Sequence, residues 1–136
     1  MNKCIKASAV ILLLYGLIEI WDTISALLMT LGIISNPYPE MYFEPVNTLI
    51  TQKPEYLLVL FACITLLRIS SGVLILMNRK AGLYVAFGIT TITFAYVPFF
   101  LPLGVFDFLI GSVLTILLAT GLNKKETIYK KEGKND

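Results

Sequence analysis

The chain has 136 residues, of which 57% are hydrophobic and only 15% are charged. Soluble domains average roughly 45–50% apolar and about 25% charged residues, so this composition exceeds what one soluble core can bury. The formal net charge is only +2, and the chain has no histidine. The absence of histidine excludes Ser-His-Asp triads, zinc sites built on histidine and haem held by a pair of histidines.

Four continuous apolar runs, separated by polar or turn-forming segments, predict four transmembrane helices. A spanning helix needs about 20 predominantly apolar residues, whereas a β-barrel would show segments of about ten residues with alternating polarity. We therefore expect a single-domain, all-α integral membrane protein with four transmembrane helices in an up-down bundle. The expected helices cover residues 7–34, 55–77, 81–97 and 106–122, and a polar cytoplasmic tail covers 123–136.

The first apolar run is expected to be a retained span, because it is too long for a signal peptide and lacks a small-residue cleavage site. The loop at 35–56 begins with prolines and aromatics, which suits an extended segment at the level of the lipid headgroups. After Pro45, the spacing of Val46, Leu49 and Ile50 predicts a short interfacial helix. A loop that binds a protein partner is the alternative.

The basic residues lie almost entirely on one side of the predicted spans. Nine of the 11 precede the first span, join the second to the third or follow the fourth; Lys53 lies in the first loop and Arg68 within a span. The positive-inside rule predicts a multi-pass protein of the cell membrane with both termini cytoplasmic and the loop 35–56 outside. The expected partner is the lipid bilayer, and anionic lipid explains the basic tail without nucleic acid.

Three charged residues interrupt the apolar runs, namely Glu19, Asp22 and Arg68. Glu19 and Asp22 are three residues apart and so lie on one face of the first helix. The rise per residue of a helix places Arg68 at a similar depth, so the three can meet. A charge at the centre of a span costs about 2.5–3.5 kcal/mol on the insertion scale. Pairing with Arg68, protonation or contact with a water-filled cavity must relieve this cost.

Polar residues on the small-residue faces of the helices are possible additional members of this intramembrane cluster. They are Tyr15, Thr65, Thr90 and Asp107. Asp107 has a simpler explanation as an acid at the start of the fourth helix, where the helix dipole stabilises it. We expect no catalytic residue, metal site or cofactor, because no nucleophile motif or phosphate-binding loop appears, and we do not expect an enzyme.

Residues Ile18–Thr23, with the sequence IEIWDT, resemble the first helix of the small multidrug resistance transporters. That family has four helices and one essential membrane glutamate, which exchanges protons for organic cations. The resemblance implies that Glu19 takes this proton and cation role. The chain departs from the family in its greater length, in the loop 35–56 and in Arg68.

Three functions remain open. The first is a multi-pass membrane protein whose carboxylate and arginine cluster has a structural role, fixing helix register. The second is a small proton- or cation-coupled transporter that uses Glu19 and Asp22, since three acids against one base favour a cation or proton over an anion. Four helices enclose little space, so transport would need a homodimer or a larger assembly. The third is an accessory or assembly subunit of a larger membrane complex.

Overall fold

The computed structural model describes residues 2–132, with side chains described as far as Asn123. This part of the chain is helical and contains no strand. The α-helices are α1 (Lys3–Thr30), α2 (Glu44–Gln52), α3 (Pro54–Leu76), α4 (Lys80–Tyr96) and α5 (Gly104–Glu132), and a 3₁₀ helix (Val97–Phe100) extends α4. Four segments are long and apolar enough to cross a membrane: α1, α3, α4 with its extension, and α5 as far as Asn123. The prediction of an all-α chain with four such helices is confirmed.

Helix α1 starts and ends with recognisable capping interactions. The side chain of Asn2 accepts a hydrogen bond from the Cys4 N–H at 3.0 Å, which caps the first turn. At the other end Gly32 adopts a φ of 72°, and its N–H bonds the Met29 carbonyl at 3.0 Å. Because glycine takes this left-handed conformation readily, α1 stops at Thr30 rather than continuing to residue 34.

Helix α3 begins with a proline at its first position and ends in the same way as α1. The first residue of a helix has no intrahelical acceptor for its N–H, so Pro54, which lacks an N–H, suits this position. Asn78 takes the left-handed conformation after α3, with a φ of 56°, and α4 follows two residues later. At the far end of the chain, the backbone of α5 continues as a helix to Glu132, through much of the segment expected to be a tail. Residues 133–136 of that tail lie outside the described residues.

Glycines let α1 approach α3 closely. A Cβ added to Gly16 would meet the Ile69 side chain at 2.5 Å, and one added to Gly72 would meet the Ala9 carbonyl oxygen at 3.1 Å. Small residues at such positions allow helix backbones to come together. The approach places the middle of α1, which carries Glu19, against the part of α3 that carries Arg68.

The buried apolar residues form two clusters. The first joins the first half of α1 to α3, α4 and α5, through Ile5, Ala9, Leu12, Tyr15, Ile75, Ala86, Leu114 and Leu118. The second joins the end of α1 to the start of α3 and to the connection between them, through Ala26, Met41, Val46, Ile50 and Leu57. The short helix expected after Pro45 is α2, and it turns Val46 and Ile50 into this second cluster.

Candidate functional site

The centre of the site is a buried ion pair between α1 and α3. Arg68 is only 1% exposed, and its Nη1 pairs with Oε1 of Glu19. Its Nη2 donates to the hydroxyl of Thr93 on α4 at 2.6 Å. The Thr93 hydroxyl in turn donates to the Ile89 carbonyl at 2.9 Å, which fixes its orientation. One guanidinium group therefore joins three helices.

Tyr15 covers one face of this guanidinium. The Arg68 Cζ lies 3.8 Å from the centre of the Tyr15 ring, a distance typical of cation–π stacking. Tyr15 precedes Glu19 by four residues, so the ring and the carboxylate come from adjacent turns of α1. Arg68 is thus held by an ion pair, a hydrogen bond and an aromatic ring at once.

Two buried polar atoms of the site have unused hydrogen-bonding capacity. Among the described residues, neither Oε2 of Glu19 nor the hydroxyl of Tyr15 has a hydrogen-bond partner. Glu19 is 8% exposed and Tyr15 is 5% exposed, so both side chains are almost fully enclosed by the protein. A buried polar atom without a partner is energetically costly. These two atoms are therefore the part of the site that can still accept or donate a hydrogen bond.

Asp22 is not part of the ion pair. Its side chain is half-buried, and it forms no ion pair with the residues that the structure describes. The hydroxyl of Tyr38 donates to the backbone carbonyl of Asp22 at 3.3 Å. Burial and the neighbouring Asp22 charge raise the pKa of Tyr38 to about 12, so this hydroxyl is protonated at neutral pH and acts as a donor. Asp22 therefore lies beside the connection between α1 and α3.

The other residues named from the sequence are placed differently. Thr65 is buried, and its hydroxyl lies 3.5 Å from that of Thr23 on α1. Thr90 is buried but donates to the Ala86 carbonyl of its own helix at 2.7 Å. Asp107 is half-buried in the first turn of α5, without an ion pair in the described part of the chain. Only Tyr15 and Thr65 of these four candidates lie in the polar region between α1 and α3.

The site candidates named from the sequence leave out two residues of α4 that contact the site. Thr93, rather than Thr90, accepts the hydrogen bond from Arg68 Nη2 and completes the surroundings of the guanidinium. Tyr96, one turn further, lies near Thr93 and Arg68. The spacing of Thr90, Thr93 and Tyr96 at intervals of three residues is the signal that could have identified them.

The described residues contain no group of three or more His, Cys, Asp or Glu side chains that could hold a metal ion. No protein-family model, curated protein or solved structure matches the chain. The resemblance of residues 18–23 to the small multidrug resistance transporters therefore stays a prediction. The function must be argued from the geometry of the site.

Proposed function

We propose that this chain is a multi-pass protein of the cell membrane, with four spans in an up-down bundle and both termini cytoplasmic. Four long apolar helices support the insertion, since each can satisfy its own backbone in lipid. The close contacts of Gly16 with Ile69 and of Gly72 with Ala9 run in opposite order along α1 and α3, which supports antiparallel neighbours. The distribution of basic residues supports the orientation.

Within this architecture, the Glu19–Arg68 pair has a structural role: it fixes the positions of α1, α3 and α4 relative to one another. The observation that carries this proposal is the enclosure of Arg68, which has a partner at each terminal nitrogen and an aromatic ring on its face. A buried ion pair adds little net stability compared with a well-packed apolar pair, but it penalises any register that separates the two charges. The pair therefore selects one arrangement of the three helices.

A double-mutant cycle tests this role. We expect Glu19→Gln and Arg68→Gln each to lower the free energy of unfolding by about 3–5 kcal/mol, because each leaves a buried charge without its partner. The double variant should lose much less than the sum of the two single variants. The measurement is thermal unfolding of the purified protein in detergent, with exposed Glu55→Gln as the control. Strictly additive losses would contradict the structural role.

A small proton- or cation-coupled transporter is the second candidate, and two observations favour it. Oε2 of Glu19 has no partner among the described residues, and the Asp22 carboxylate has no basic neighbour there that forms an ion pair with it. Two carboxylates with one arginine carry a net charge of about −1 when all three are ionised. A proton or a monovalent cation would balance this charge. A transport path would also need a second copy of the chain, because four helices enclose little space.

A further inference from the structure

The connection between α1 and α3 is a folded element rather than an open loop. We define residues 35–53 as the cap. Met41 is 3% exposed and Ile50 is 1% exposed, so apolar side chains of the cap are as buried as those of the long helices. The Asn47 side chain accepts from the Met41 N–H and donates to the Met41 carbonyl, both at 2.7 Å. These two hydrogen bonds close the extended part of the cap onto α2.

The cap is attached to several parts of the molecule. Its buried side chains pack with Ala26 near the end of α1 and with Leu57 near the start of α3. The N–H of Tyr42 donates to the Leu101 carbonyl at 2.9 Å, which joins the cap to the connection between α4 and α5. The cap therefore lies across one end of the helices and contacts the other connection at that end, which joins α4 to α5.

Four aromatic side chains, one from the cap itself and three from the long helices, form a layer that we call the aromatic layer. Each ring of the layer contacts the next. The ring centres are 6.4 Å apart for Tyr38 and Phe61, 6.4 Å for Phe61 and Phe100, and 5.6 Å for Phe100 and Tyr96. Tyr38 belongs to the cap, whereas Tyr96 lies near Arg68. Phe61 precedes Arg68 by seven residues, which places it about 10 Å nearer the capped end of α3.

We propose that the cap and the aromatic layer together seal the Glu19–Arg68 pair from water on the outer side of the membrane, with Tyr38 as the residue that closes the seal. Tyr38 suits this role because its ring joins the aromatic layer while its hydroxyl bonds the backbone of α1 at Asp22. Water excluded in this way cannot weaken the ion pair by screening it. The proposal gives the cap a function and rests on the proposed architecture only for its outward orientation.

Cysteine accessibility tests the seal. The reporter is Thr65→Cys, which lies between Phe61 and Arg68 on α3 and is 5% exposed, in a protein whose own Cys4 and Cys63 are replaced by serine. A membrane-impermeant thiol reagent is applied from outside to the full-length protein in sealed vesicles. We expect slow labelling with the cap intact. Asn47→Ala removes both bonds to Met41 and should speed the labelling about tenfold, because the open form becomes more populated.

The matched control is Thr48→Ala, which changes an exposed neighbour on the same short helix and should leave the rate unchanged. Equal rates in Asn47→Ala and Thr48→Ala, or fast labelling with the cap intact, overturn the seal. Labelling of Leu114→Cys, 1% exposed on α5, reports general unfolding. If Asn47→Ala also speeds the labelling of Leu114→Cys, the test uses Tyr38→Ala instead, which opens the aromatic layer and keeps the bonds to Met41. An unchanged labelling rate of Thr65→Cys in the Tyr38→Ala protein also overturns the seal.

The orientation is checked separately. A cysteine at the exposed position Thr48 should be labelled rapidly from outside, both with the cap otherwise intact and together with Asn47→Ala. If it is labelled only in inverted vesicles, the proposed orientation is wrong, and the comparison of Asn47→Ala with Thr48→Ala is made in those vesicles. The double-mutant cycle of Glu19 and Arg68 does not depend on this result, so a failed seal and a failed structural role can be told apart.

Discussion

Two helix interfaces of the protein pack in different ways, the one between α1 and α3 and the one between α4 and α5. At the first, a Cβ on Gly72 would come within 3.1 Å of the Ala9 carbonyl oxygen, and the helices enclose an ion pair. At the second, a Cβ on Gly111 would meet only the edge of the Phe94 ring, at 3.2 Å. An apolar groove of about 500 Å³ lies beside it, lined by Phe94, Val97, Pro98, Leu101, Phe108 and Ser112.

The difference follows from what each interface contains. A charged pair can be buried only where the surrounding groups approach closely enough to satisfy it, so α1 and α3 need small residues at their contact. An apolar interface has no such requirement, because in the proposed membrane setting the hydrocarbon of the bilayer would be as good a neighbour for Phe108 as another side chain. We therefore expect the first interface to be sensitive to small changes and the second to tolerate them.

Among the changes that compare the two interfaces, the largest effect should come from adding one methyl group at each. Gly72→Ala is expected to lower the free energy of unfolding by about 1–3 kcal/mol, because the new Cβ is pressed against backbone and the Leu13 side chain. Gly111→Ala should change it by less than about 0.5 kcal/mol, since the ring of Phe94 can turn and alanine favours the helix. Thermal unfolding in detergent measures both. Equal losses would remove the distinction between the two interfaces.

A smaller effect is expected at the hydrogen bond from Arg68 to α4. Thr93→Val should cost about 1–2 kcal/mol, because it leaves a buried charged donor without its acceptor. The matched control is Thr91→Val on the same helix, where the hydroxyl is exposed and bonds only the Phe87 carbonyl, and this change should stay within about 0.5 kcal/mol. A Thr93→Val protein as stable as the Thr91→Val protein would show that α4 contributes little to holding Arg68.

The smallest effect separates the two proposed functions. We expect Asp22→Asn to raise the free energy of unfolding by about 0–1 kcal/mol, because it removes a half-buried charge that forms no ion pair with the described residues. The unfolding midpoint is then measured against pH and against added monovalent cations. Protection of the wild-type protein that disappears in Asp22→Asn supports the transporter. A wild-type midpoint that no cation or pH change raises supports the structural role.

The helical framework could be predicted from the sequence because each apolar run favours its own helix. Residues 55–77 contain enough apolar side chains to predict one long helix whatever surrounds them, and α3 covers Pro54–Leu76. The prolines, Gly32 and Asn78 act on the local backbone and set the ends of helices, although the apolar run predicts an end of α1 four residues later than Thr30. The short helix after Pro45 likewise follows from local spacing.

The polar site could be predicted only as a set of candidates. Glu19, Asp22 and Arg68 stand out in apolar runs on chemistry alone, but their pairing depends on how α1 is rotated against α3. The close approach at Gly16 and Gly72 sets that rotation, and it pairs Arg68 with Glu19 while Asp22 lies beside the cap.

By itself, the sequence determined the helices and the charged residues whose cost of burial must be offset, because burial in an apolar environment is a property of each segment. The tertiary structure decided the partners. Thr93 rather than Thr90 reaches Arg68, Tyr15 stacks on it, and the cap covers the end of the helices above it. These contacts join residues far apart in the chain, and their distances depend on the packing of several helices at once, which no local pattern of residues contains.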